Sequence, residues 1–183
     1  MRKCLLLVAA LGVMGGLAVA AELQSGLAKG EFVPAFFVCD VTGPAKGEEL
    51  CYRCKYGDRP VVTIFTRVMT PEVTQLAKAI DGVVAKNEDS RMAGFVVVMT
   101  EDPDKVKSEL TAAAEKAQLT KVPLTTFKGS DGPAAYKINK DAEVTVMMWV
   151  DGAVKVSKGF AKAKQLDKAA IDTLVADTKQ ILD

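Results

Sequence analysis

The 183-residue chain contains no histidine. That absence removes Ser-His-Asp and Cys-His catalysis, histidine-ligated zinc or copper, and haem attachment through C-x-x-C-H, each of which needs an imidazole as base or ligand. Aromatic residues are scarce at 6%, so aliphatic side chains and alanine must supply the core. Charge of one sign is also lacking: 24 basic and 23 acidic side chains nearly cancel, with no long basic run. Nucleic acid and anionic membrane surfaces are therefore poor partners. What remains, 49% apolar and 26% charged residues, is the composition of one globular domain with a proper core.

The chain opens with Met1-Arg2-Lys3, followed by an apolar run from Cys4 to Ala21 broken only by Gly12, Gly15 and Gly16. A short basic start, an apolar centre and Ala18-Val19-Ala20 ahead of Ala21-Glu22 predict a secretory signal peptide over residues 1–21. A membrane anchor is the alternative, because the run approaches the length of a bilayer crossing. The glycines and the small residues at its end favour the cleaved signal. Cys4 lies too early to carry a lipoprotein lipid, and no second stretch is long and apolar enough to cross a membrane. Loss of Arg2 and Lys3 leaves 22 basic against 23 acidic side chains, a net charge of about −1. Residues 22–30 read as a leader and 31–183 as the domain.

The mature chain keeps Cys39, Cys51 and Cys54. In an oxidising compartment a close pair forms a disulfide, and an odd number leaves one thiol over.

Phe32 to Val41 reads as an early strand and residues 42–47 as a turn. The C-x-x-C of Cys51 and Cys54 follows in a stretch that reads as loop as far as Asp58. Val61-Val62-Thr63-Ile64-Phe65 and Phe95 to Met99 are short continuous runs, the pattern of strands buried on both faces. Thr70-Pro71-Glu72 starts a helix with a capping hydroxyl, proline at the first helical position and an acid near the positive end. Val73, Leu76, Ala77, Ile80 and Val84 then share one helical face. Asp102-Pro103 starts another helix, with Val106, Leu110, Ala113, Ala114 and Ala117 on its stripe. Val122 to Phe127 is a short strand. Val144 to Val150, the Asp151-Gly152 turn and Ala153 to Phe160 form a hairpin, and a last helix runs over 165–182. The order predicts an α/β domain: a central mixed sheet with helices on both faces and a C-terminal hairpin plus helix.

Three segments carry a resemblance: Phe36-x-Val38-x-Asp40-Val41-x-Gly43; Arg59-Pro60-Val61-Val62-x-Ile64-Phe65 leading into a helix; and Val144-x-Val146-Met147-Met148-Trp149-Val150-Asp151-Gly152. With the element order, the chain resembles the thioredoxin superfamily, in its peroxiredoxin-like branch (the alkyl hydroperoxide reductase and thiol-specific antioxidant type). The resemblance spans residues 31–183 and implies a thioredoxin-like fold. It also implies a reactive cysteine at the start of the helix after the buried strand, where backbone N–H groups stabilise a thiolate. The corresponding stretch here, Val68-Met69-Thr70-Pro71-Glu72-Val73, has none. The family's cis-proline before the hairpin strand is replaced by Glu143 or Val144. Peroxidase chemistry at the usual position is thereby set aside.

Cys51 and Cys54 are the candidate catalytic residues. The spacing suits a readily exchanged pair, with Arg53 and Lys55 as nearby positive charges and no helix expected to follow. By analogy with such pairs, Cys51 is the attacking thiol and Cys54 the resolving one, acting on other exported proteins. Two other readings stand beside this: a structural disulfide in a non-catalytic binding or structural module, and a reduced pair holding a metal. Cys39 reads either as a buried strand cysteine or as a thiol exchanging with the pair. Thr70 reads as a cap, or, with Arg67 near it, as the seat of a small anion. Met69, Met147 and Met148 read as core rather than soft-metal ligands. Glu48-Glu49 and Glu101-Asp102 read as solvated acids. No cofactor and no metal is expected.

Overall fold

The runs of β-branched residues set the middle of the sheet. In the computed structural model, which describes residues 23–182, β3 (Val61–Thr66) and β4 (Ala93–Thr100) lie parallel, Val61 opposite Ala93 and Thr66 opposite Val98. All six side chains of β3 are buried, as a strand covered on both faces requires. β5 (Leu124–Lys128) extends the parallel set beside β4. β6 (Val144–Val150) and β7 (Ala153–Phe160) form an antiparallel hairpin on the other side of β3. The hairpin turns at Asp151 and Gly152, with φ of 55° and 74°, the left-handed backbone for which Asp-Gly is suited. β1 (Val38–Asp40) and β2 (Glu49–Leu50) complete a seven-stranded sheet in the order β2-β1-β5-β4-β3-β6-β7.

One face is covered by helices. α2 (Pro71–Lys86) packs Val73, Leu76, Ala77, Ile80 and Val84 against Val62, Ile64 and Val96. α3 (Pro103–Ala117), α4 (Lys168–Asp177) and α5 (Lys179–Leu182) add Leu110, Ile171, Leu174 and Ile181 to the same core. The expected last helix is thus divided at Thr178, whose hydroxyl donates back to the Val175 carbonyl.

The opposite face is covered differently. Its core gathers Val61, Phe65, Phe95, Met147 and Trp149 from the sheet under Leu27, Val33, Phe36, Tyr136 and the two tyrosines of α1 (Tyr52–Tyr56). Among the described residues helices therefore lie on both faces, unequally: four on one, and on the other a five-residue helix among irregular chain. Phe65, Phe95 and Trp149 are wholly buried there, and each such side chain contributes about 1.5–3 kcal/mol. This demand shortens the expected strand over 32–41. Val33 and Phe36 leave the sheet plane to cover it, so only Val38–Asp40 pair as strand, and Phe32 makes a single bridge to Ala153. Residues 23–30, expected as leader, run along β7: Leu23 bridges Gly159, Ser25 is buried against Thr145, and Leu27 enters the core.

The signal segment and Cys4 lie outside the described residues. Among the described residues no helix is long and apolar enough to cross a membrane.

Candidate functional site

Cys51 and Cys54 are joined by a disulfide. The stretch expected as loop is helical there: Cys51 is extended (φ −103°, ψ 98°) and caps α1, and its sulfur accepts the Cys54 N–H at 3.0 Å. The expectation that no helix would follow the pair is corrected by tertiary contacts. Tyr52 and Tyr56, one turn apart on α1, both face the sheet, where Tyr52 stacks on Phe95 with ring centres 5.1 Å apart. The packing holds a helix too short to persist alone.

A buried carboxylate fastens this turn. Asp40, at the end of β1, accepts the Tyr52 hydroxyl at 2.8 Å and the N–H groups of Gly43 and Ala45 at 2.7 and 2.9 Å. Burial, and then the hydrogen bond to that carboxylate, push the Tyr52 phenol well above its ordinary range. Burial does the same to Tyr56. Arg53 is committed elsewhere than expected. Its guanidinium donates to the carbonyls of Val33 and Gly57, both at 3.0 Å, and lies so close to Gly152 that a side chain there would collide with it. Arg53 thus ties α1 to the incoming chain and the hairpin turn. Lys55 lies over the Tyr52 ring, 5.7 Å from its centre.

The two cysteines differ in exposure. Cys51 is 8% exposed, whereas Cys54 faces solvent. This asymmetry runs opposite to the order that the resemblance implies, in which the first cysteine meets the partner.

The helix start that the family would use lies at the other end of β3. Thr70 caps α2 by accepting the Val73 N–H at 3.3 Å. Arg67 does not face an anion seat: its guanidinium donates to the carbonyls of Ala142 and Asn139, and its backbone N–H to Glu143. Glu143 stands just before β6, with no cis peptide bond among the described residues. The Lys162 ammonium and the Ala163 N–H hold its carboxyl below the usual range. β3, six residues and about 20 Å long, has α1 before its first residue and this helix start after its last.

The remaining candidates do not converge on the pair. Cys39 is a free, half-buried thiol on β1, opposite Glu49 and Thr126. Met69, Met147 and Met148 are buried in the two cores. Glu48 and Glu49 are exposed, Glu101 accepts the Ser130 N–H at 2.8 Å, and Asp102 pairs with Lys105 at 2.7 Å. Among the described residues no three metal-ligating side chains of the Cys, Asp or Glu type cluster. Reading the sequence missed Tyr52, Tyr56 and the anchoring part of Asp40. Asp40 stood within a quoted motif, but nothing in its spacing pointed to Tyr52.

No protein-family model matches the chain, and no curated protein matches it in sequence. Solved structures do match in shape. A candidate protein disulfide isomerase from Bacteroides thetaiotaomicron superposes with a TM-score of 0.64 at 19% identity, covering 87% of this chain and 94% of its own. A secreted disulfide oxidoreductase of Mycobacterium tuberculosis, homologous to E. coli DsbE, gives 0.57 at 13% identity over 80% and 96%. The peroxidoxin BcpB of the same organism gives 0.56 at 20% identity over 85% and 98%. The fold is thioredoxin-like, and its structural neighbours include both disulfide oxidoreductases and peroxiredoxins.

Proposed function

We propose that this thioredoxin-like chain is an exported thiol–disulfide exchange protein, with Cys51–Cys54 as its redox pair and other exported proteins as its substrates. The observation that carries the reading is the unequal pair: an exposed Cys54 bonded to a buried Cys51 whose sulfur already accepts a backbone N–H. A partner thiolate attacks the accessible Cys54 sulfur and forms a mixed disulfide. The Cys51–Cys54 bond breaks, and its electron pair leaves on Cys51 as a thiolate, which the Cys54 N–H stabilises. A second thiolate of the partner then attacks its own sulfur in the mixed disulfide and releases Cys54. The partner is oxidised to a disulfide and the pair is reduced to the dithiol. In reverse, Cys54 attacks and Cys51 resolves, an exchange of the roles first expected.

Export rests on residues 1–21, read as a signal removed from the mature protein. The secreted mycobacterial neighbour agrees with such a compartment.

The competing reading is a non-catalytic module stapled by the disulfide. Two sulfurs three residues apart close only one turn and tie no distant segments together. Tyr52 and Arg53 already make the long-range ties, which weakens the case for a staple. The reduction potential of the pair, measured in the purified mature protein by thiol trapping in redox buffers, decides between them. A value between about −120 and −270 mV, the range of exchange proteins, is expected; one below about −300 mV would favour the staple.

A further inference from the structure

Beside α1 the sheet ends in two adjoining grooves. One, of about 310 Å³, includes Tyr56, Arg59, Met92 and Lys121. The other, of about 520 Å³, runs from Pro44 and Lys55 to Lys121 and Pro123 and shares Tyr56 and Lys121 with the first. Both lie where the parallel strands begin: Arg59 precedes β3, Arg91 precedes β4, and Lys121 precedes β5.

The charge along these grooves is one-sided. Lys55, Arg59, Arg91 and Lys121 line them, with Glu88 the one acid among the lining residues. Glu88 pairs with Lys121 at 2.5 Å, and Arg91 lies 3.4 Å from Asp58. Arg59 spreads over the Tyr56 ring at 5.0 Å and donates to the carbonyls of Arg91 and Met92, and among the described residues no acid pairs with it or with Lys55. In a mature chain whose formal charges nearly cancel, this is a local positive excess over an apolar floor. It begins at Lys55, the residue next to the accessible Cys54.

We infer that these grooves dock the partner polypeptide, and that the preferred partner carries acidic side chains beside its reactive cysteine. The inference rests on the exchange reading of Cys51–Cys54 and specifies its substrate class. An extended segment laid along the grooves places its carboxylates against Lys55 and Arg59 and its thiolate at the Cys54 sulfur. Attraction across such a surface raises encounter rates and weakens as salt screens it.

The test uses two cysteine peptides of equal length, one flanked by aspartate and glutamate and the other by lysine. Each attacks the oxidised mature protein, and each also attacks an uncharged small disulfide, which corrects for intrinsic thiol reactivity. The corrected rate should favour the acidic peptide about tenfold at low salt, and the preference should fade as ionic strength approaches about 0.5 M. In Lys55→Ala/Arg59→Ala the ratio of the two corrected rates should collapse toward one, with far-ultraviolet circular dichroism as in the parent. A corrected ratio near one, or a ratio indifferent to salt and to the double variant, would overturn the docking surface and leave exchange standing. Serine versions of both peptides separate the two ideas further, through binding followed by fluorescence anisotropy. Preferential binding of the acidic serine peptide without any exchange would keep the surface and overturn the redox reading.

Discussion

Raising the pH should unfold this protein through its tyrosines. The chain has three, Tyr52, Tyr56 and Tyr136, and all are buried. Each phenol is pushed above its ordinary range, with burial the leading cause every time. In the unfolded chain a tyrosine ionises near pH 10. Above that point the unfolded state sheds protons that the folded state keeps. Stability from these groups is therefore fully present below about pH 10 and falls as pH rises toward their folded values. The loss approaches about 1.4 kcal/mol per tyrosine for each further pH unit, or about 4 kcal/mol for the three together. Against a domain stability of about 5–15 kcal/mol, unfolding should come about one to four units above pH 10. Phenolate difference absorbance and far-ultraviolet circular dichroism, recorded in the same titration, should move together in one cooperative step. Three phenolates appearing near pH 10 with unchanged dichroism would refute the reasoning, because buried phenols cannot ionise freely in an intact fold.

Other outcomes follow from the same structure. Replacing both cysteines, Cys51→Ser/Cys54→Ser, opens a ring of only one turn, so chain entropy allows a loss of about 2 kcal/mol in urea unfolding; a loss above about 4 kcal/mol would mean that the bond holds more than α1. Tyr52→Phe takes one of three donors from the buried Asp40 carboxylate and should cost about 1.5–3 kcal/mol by the same measurement. A negligible cost would show that Gly43 and Ala45 satisfy the carboxylate unaided. Asp81 on α2 accepts the N–H groups of Thr120, Lys121 and Val122 at 2.9, 2.7 and 3.0 Å. Asp81→Ala should therefore cost at least about 3 kcal/mol in thermal or urea unfolding and speed hydrogen exchange at those three amides; unchanged exchange would refute the role given to Asp81.

The parts of this fold that were legible in the sequence are those whose own residues decide them. Val61 to Phe65 can be little but a buried strand, Thr70-Pro71 carries its own cap, and Asp151-Gly152 its own turn. The residues that were not legible answer to distant partners. α1 has no apolar period of its own and exists because Tyr52 reaches Phe95 and Asp40. Phe32 to Phe36 has strand composition, yet the uncovered face of the sheet draws Val33 and Phe36 away from pairing. Asp81 lies among the apolar stripe of α2, and only the later loop over 120–122 explains an acid there. At the candidate site the C-x-x-C was plain. Which cysteine is exposed was not, because that depends on how α1 lies on the sheet.

The disulfide is confined to a single turn at the rim of the second face, and that turn is anchored from outside the ring, by the Asp40 carboxylate, the Tyr52 phenol and the Arg53 guanidinium. Changing its oxidation state therefore leaves the rest of the molecule mechanically untouched. Oxidised and reduced forms should share one fold, the reduced form being less stable by about 2 kcal/mol. A protein built in this way stays folded in either state, so the supply of electrons, rather than a refolding step, would govern how much of it is charged at any moment.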